Sequence, residues 1–173
     1  MLPEILILLT LFFIFLQDLK SRTVYWFLFL LLSVLLMVLR FQHSFSWPDW
    51  RKSILINVVF ITVQLIFLTL YFSLKNKKWI DITSELLGLG DILFLLSITF
   101  YLSALNFLFF YIVSLMGVLI LWLVWQGVSK KKHKYIPLAG FQSLIFMLFL
   151  ACDWWLQSFD LTSDTWLLNL IAK

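Results

Sequence analysis

Charge is scarce in this chain: Asp, Glu, Lys and Arg make up 13% of its 173 residues, where a soluble domain carries about 25%. A water-soluble fold is excluded on that ground, because 63% of the residues are hydrophobic and one dry core cannot hold them all. Cysteine is nearly absent as well. Cys152 stands alone, so no intrachain disulfide can form, four-thiolate and Cys-x-x-Cys metal sites are ruled out, and the residue reads as a small buried apolar side chain. No repeat, low-complexity tract, interdomain linker or nucleic-acid motif stands out, and the N-terminal segment lacks the basic start and small-residue cleavage site of a signal peptide. Residues 1–173 therefore read as a single membrane domain.

What the chain has is apolar length. A spanning helix needs about 20 apolar residues, and six stretches qualify: Leu2 to Gln17, Val24 to Phe41, Ser53 to Phe72, Leu86 to Leu102, Leu105 to Trp125 and Tyr135 to Leu156. The expected fold class is all-α, a polytopic bundle of about six transmembrane helices. Tyr25, Trp26, Trp47, Trp50, Trp79, Tyr101, Trp122, Trp125, Tyr135, Trp154 and Trp155 mark the ends of these stretches, as an interfacial aromatic belt would. The tail from Phe159 to Lys173 is too short to span and reads as a helix lying on the membrane. Nine of the thirteen basic residues, Lys20, Arg22, Lys75, Lys77, Lys78, Lys130, Lys131, Lys132 and Lys134, share one side if the N-terminus is outside. The positive-inside rule then places both termini outside the cytoplasmic membrane, with the lysine run at 130–134 meeting anionic lipid headgroups.

Ionisable residues inside apolar segments cost about 2.5 to 3.5 kcal/mol to insert, so they mark functional sites by default. Asp91 lies within Leu86-Leu87-Gly88-Leu89-Gly90-Asp91-Ile92-Leu93-Phe94. Its expected place is about one and a half turns into a helix beginning after Thr83 and Ser84. Gly88 and Gly90 let the backbone beside it approach another helix or a substrate, and leave helical geometry cheaply. The bland alternative is a small-residue packing contact with Asp91 bonded to a neighbouring helix. Asp18 closes the first apolar block beside Lys20 and Arg22, where an acid is often only a solvated interfacial charge. In the expected topology, however, both aspartates arrive at the cytoplasmic face. Two carboxylates brought together tend to share a proton, so one serves as base toward a water while the other polarises a carbonyl.

Gly88-Leu89-Gly90-Asp91 resembles the Gly-x-Gly-Asp motif of membrane aspartyl proteases, and Asp18-Leu19-Lys20-Ser21-Arg22 is similar to the first motif of the prepilin and preflagellin peptidases. Lys134-Tyr135-Ile136-Pro137-Leu138-Ala139-Gly140 is similar to a third feature of that family, a basic loop ending in Ile-Pro. The resemblance implies Asp18 and Asp91 as the catalytic pair, with Gly88, Gly90, Lys20, Arg22 and Pro137 in support. It implies no cofactor and no metal, and a prepilin-like or archaellin-like precursor as substrate. Nothing here corresponds to the methyltransferase region of larger bacterial members. The chain departs from the family where Val24-Tyr25 replaces an Ile-Pro and Leu93 replaces a Lys. Those departures favour a rival reading, an inactive assembly protein that keeps the peptidase fold; a small transporter using Asp91 as an ion site is a third. Asn57, Gln64, Asn106 and Gln142 are expected to bond between helices, His43 and His133 to be solvated, and Asp153 to be an interfacial charge.

Overall fold

The computed structural model describes residues 2–21, 23–42, 46–77, 88–128, 136–156 and 160–171. They form seven helices and, among the described residues, no strand: α1 (Leu2–Ser21), α2 (Trp26–Gln42), α3 (Trp47–Asn76), α4 (Leu89–Ile98), α5 (Ala104–Val128), α6 (Leu138–Leu156) and α7 (Thr165–Ile171). Four of them, α1, α3, α5 and α6, are long and apolar enough to cross a membrane. The six-span expectation is met only this far, because α2 has 17 residues and α4 has 10. At 1.5 Å per residue α4 is about 15 Å long, half the thickness of a hydrocarbon core.

Local chemistry explains where α4 departs from the expected Leu86 to Leu102. Gly88 is extended (φ −64°, ψ 144°), and the helix starts just after it at Leu89. Asp91 is consequently its third residue, nearer the helix end than the expected one and a half turns. At the other end the Thr99 hydroxyl donates to the Leu96 carbonyl (2.7 Å), and the Tyr101 and Leu102 amides both donate to the Ile98 carbonyl. Such local bonds compete with the helical ladder and close the helix early. Conversely α3 outruns the expected Ser53 to Phe72. Pro48 suits its first turn, where the missing N–H costs nothing, and the helix stops only at Lys77, whose left-handed φ of 51° returns its amide to the Leu74 carbonyl.

Helical periodicity builds the core. Ile7, Leu11 and Ile14 of α1, Leu28, Leu32, Leu36 and Leu39 of α2, and Phe94 and Ile98 of α4 line one face each. They meet Phe107 and Phe110 of α5 and Phe141, Phe146 and Leu150 of α6. α1 lies between α6 and α2, α2 reaches α4, and α5 bridges α6 and α3. Edge-to-face ring pairs such as Phe110–Phe146 (5.2 Å) and Phe94–Phe146 (6.2 Å) lock the centre. Outward faces are just as apolar: Phe12, Phe13, Leu30, Val59, Phe67 and Leu119 are all exposed. Helices apolar all round suit a lipid surround. Lipid tails are as apolar as leucine, so close packing and polar bonds hold such a bundle together.

The polar bonds fall largely where amide side chains were expected to supply them. Gln64 donates to the Tyr111 hydroxyl between α3 and α5, Gln142 reaches the Ser114 hydroxyl between α6 and α5 (3.3 Å), and Asn57 donates to the Leu102 carbonyl (3.1 Å). Asn106 is a hub. Its amide group donates to the Ser103 hydroxyl and to the Asp160 and Ser163 carbonyls, while its own carbonyl accepts from the Trp166 indole. That last bond and buried Leu161 and Leu167 dock α7 on the bundle end, while Leu168, Leu170 and Ile171 remain exposed. Asp153, near the end of α6, is half-buried and accepts from the Tyr101 hydroxyl (2.7 Å) and the Leu161 amide (3.1 Å). Cys152 differs from expectation, being exposed, because the α6 residue before Asp153 faces away from that contact.

Candidate functional site

The start of α6 gathers both aspartates. The Phe141 amide donates to the Pro137 carbonyl (3.2 Å), so Pro137 caps the helix and residues 138, 139 and 140 form its first turn. Amides of a first turn have no partner within their own helix. Two of these are satisfied from distant parts of the chain. The Ala139 amide donates to Asp91 Oδ1 (2.7 Å) and the Gly140 amide to Asp18 Oδ2 (2.6 Å). Consecutive peptide groups therefore hold the two carboxylates side by side, at the end of the helix where the macrodipole favours negative charge.

Each partner is shaped for this approach. Asp18 sits on the buried face of α1, 8% exposed, four residues after Ile14 and in line with Leu11 and Ile7. A Cβ at position 140 would stand 3.0 Å from both Asp18 Cβ and Asp18 Oδ2, so only glycine admits the carboxylate at this distance. Asp91 is positioned from its own helix as well: its Oδ2 accepts from the Gly88 amide (3.1 Å), while the Asp91 amide donates to the Gly88 carbonyl (3.0 Å). Behind it the Ser97 hydroxyl donates to the Phe29 carbonyl of α2 (2.9 Å), fixing α4 against α2. Gly90 faces Phe29 with room for a methyl group, its virtual Cβ lying 3.6 Å from Cζ.

The residues named from the sequence are thus partly brought together. Asp18, Asp91, Gly88 and Pro137 converge, Gly90 packs behind them, and Lys20 is exposed at the end of α1. Arg22, Lys78, His43, His133 and the lysine run at 130–134 lie outside the described residues. At the two departures from the family pattern, Leu93 packs against the apolar core, and the exposed Tyr25 has its amide bonded to Gln17 Oε1 (3.2 Å), which helps turn α1 into α2. What the sequence reading missed is the role of Ala139 and Gly140 as donors. The available signal was a proline opening a helix, followed within three positions by two small residues. Among the described residues no group of three or more His, Cys, Asp or Glu side chains could hold a metal ion.

Chemically, two carboxylates oriented by adjacent donors in an apolar surround can share one proton, which supplies an acid and a base at one point. No protein-family model, no curated protein and no solved structure matches this chain.

Proposed function

We propose that this chain is a membrane aspartyl endopeptidase of the prepilin-peptidase kind, cleaving the basic leader of a prepilin-like or archaellin-like precursor at the cytoplasmic face of the membrane. One observation carries the reading: Asp18 and Asp91, far apart in the chain, are held by the consecutive amides of Ala139 and Gly140. In this reading α2 and the stretch Leu86 to Leu102 that contains α4 complete a six-span bundle with both termini outside, and the lysine loops face the cytoplasm. The substrate's apolar helix stays in the lipid while its leader reaches the aspartates from the cytoplasm. The ionised carboxylate takes a proton from water, the protonated one donates to the scissile carbonyl, and the tetrahedral intermediate collapses with the proton returned to the leaving amine.

The same hydrogen bonds favour a second reading, in which both aspartates are structural caps for α6 in an inactive assembly protein. Asp18→Asn and Asp91→Asn separate the two. An asparagine oxygen still accepts from the amide at 140 or 139, so the cap survives, but the titratable proton is gone. At position 91 the asparagine can accept from only one of its two amide donors. The exposed Gly88 amide can turn to water instead, so the fold should hold. The expected result is folded, membrane-inserted protein that no longer releases the leader of a co-expressed prepilin-like precursor, with the double variant no worse than either single one. Full cleavage by folded Asp91→Asn protein would leave the cap reading standing and remove the protease.

A further inference from the structure

At the opposite end of the bundle from the aspartates, the end of α2, the starts of α3 and α5 and the segment before α7 enclose a cavity of about 750 Å³. Arg40 lines it. The side chain is 6% exposed, yet its Nε and Nη1 have no hydrogen-bond partner among the described residues. Guanidinium nitrogens buried without a partner are expensive, and the acids whose charges act on Arg40, namely Asp160, Asp153 and Asp164, accept bonds from other groups. Asp160 spends its oxygens on the Thr162 amide and the Thr162 and Ser163 hydroxyls, Asp153 accepts from Tyr101 and Leu161, and Asp164 Oδ1 takes the Leu105 amide. These acids are used to fold the outer segments, and Arg40 Nε and Nη1 stay buried without a partner among the described residues at the wall of the cavity.

The charge of the lining narrows the ligand. Arg40 and Lys52 stand against Asp49 and Asp164, with the Ser46 and Ser53 hydroxyls nearby. A simple anion would meet two acids there, and a simple cation two bases. A molecule carrying both signs a few atoms apart matches both pairs. Trp47 and Trp50 at the start of α3, packed at steep ring angles with Phe41, form the kind of aromatic cluster that sits at headgroup level.

We infer that this cavity binds a phosphate-ammonium zwitterion of the phosphoethanolamine class, with Arg40 and Lys52 holding the phosphate and Asp49 and Asp164 the ammonium. The guanidinium fork suits phosphate oxygens. The site is independent of the peptidase reading, since none of its residues touches the aspartate pair. The same chemistry comes from a phosphatidylethanolamine headgroup or from free phosphoethanolamine. Thermal unfolding of the purified full chain in detergent distinguishes them when titrated with phosphatidylethanolamine, phosphatidylglycerol, free phosphoethanolamine and inorganic phosphate. Phosphatidylethanolamine should stabilise the wild type at lower concentration than phosphatidylglycerol. Competition by phosphoethanolamine would assign the headgroup alone, and its failure to compete would assign the whole lipid.

Loss of one charge-assisted bond should weaken apparent affinity about tenfold in Arg40→Gln, with partial recovery in Arg40→Lys. Should Arg40 variants fail to fold, the exposed Lys52→Gln and Asp49→Asn carry the test. Equal response to phosphatidylglycerol, or an unchanged response in Lys52→Gln and Asp49→Asn, would overturn the inference.

Discussion

Replacing Gly140 with alanine tests whether the Asp18 contact is as close as the structure makes it. Within a helix, glycine to alanine is favourable by about 1 kcal/mol, so away from any contact the change should stabilise. Here the new Cβ would lie 3.0 Å from Asp18 Cβ and Oδ2, short of the optimum of roughly 3.5 to 4.0 Å between carbons. The aspartate must recede by about half an ångström, stretching its 2.6 Å bond to the Gly140 amide, and overpacking of this sort costs about 1 to 3 kcal/mol. Gly140→Ala should therefore be neutral to destabilising by about 2 kcal/mol in the wild-type background. In an Asp18→Gly background it should stabilise by about 1 kcal/mol. Glycine is the partner of choice because alanine at 18 would keep the Cβ that also clashes. The assay is a double-mutant cycle on unfolding of the purified protein in mixed micelles, and a coupling of about 1 to 3 kcal/mol is expected. Additivity within about 0.5 kcal/mol would mean that Asp18 does not rest on the start of α6, and the geometry of the site would fall with it.

Gly90→Ala should be tolerated in stability, and in cleavage if the chain is a protease, because the methyl group meets Phe29 Cζ at an ordinary 3.6 Å; inactivation would show that the motif glycine serves something other than packing. With Cys152 replaced by serine, a single cysteine in place of the exposed Thr165 at the start of α7 should react with an impermeant maleimide added outside intact cells, and labelling only after permeabilisation would invert the proposed orientation. Burial pushes the Asp160 carboxyl up, but bonds from the Thr162 and Ser163 hydroxyls and the Thr162 amide, with the Arg40 charge, outweigh it and hold it below the ordinary carboxylate range. Its contribution to stability is thus complete above about pH 4, the unfolded value, and is lost as pH falls through the lower folded value. Thermal melts of wild type should show that acid limb and melts of Asp160→Asn should flatten it; identical limbs would count against the assignment.

How much of this was legible in the sequence depended on whether the signal was local. The apolar stretches gave the all-helical class and placed α1, α2, α5 and α6 well, because length and composition decide what a bilayer accepts. They misjudged α4, since Gly88 and the Thr99 hydroxyl act on single peptide groups that a hydropathy window averages away. Asp91 stood out for its cost in an apolar setting, and Asp18 for a topology that brings it to the same face of the membrane. Their partners did not, because an amide donor exists at every non-proline residue, and only the fold decides that those at 139 and 140 come within reach of side chains 48 and 122 positions away. The partners of Asp153 were hidden for the same reason, since Tyr101 and Leu161 come from separate segments.

The amide bonds at the aspartates bear on the proposed chemistry through what they leave free. A carboxylate has about four lone-pair directions. Asp91 commits one on Oδ1 to Ala139 and one on Oδ2 to Gly88, which fixes the plane and rotation of the group while leaving one direction on each oxygen. An N–H donor bonds an ionised oxygen more strongly than an oxygen of a protonated acid, and at Asp91 one of the two amides would face the hydroxyl oxygen whenever that residue holds the shared proton. Hydroxyl or lysine donors in the same places would be less neutral, the first able to rotate away and the second adding a charge that favours the ionised form. Backbone donors from the first turn of a helix packed against α1, α4 and α5 cannot rotate away and carry no full charge. Orientation at this site therefore comes from donors fixed by the fold, which hold their places while two aspartates exchange acid and base roles within one cycle.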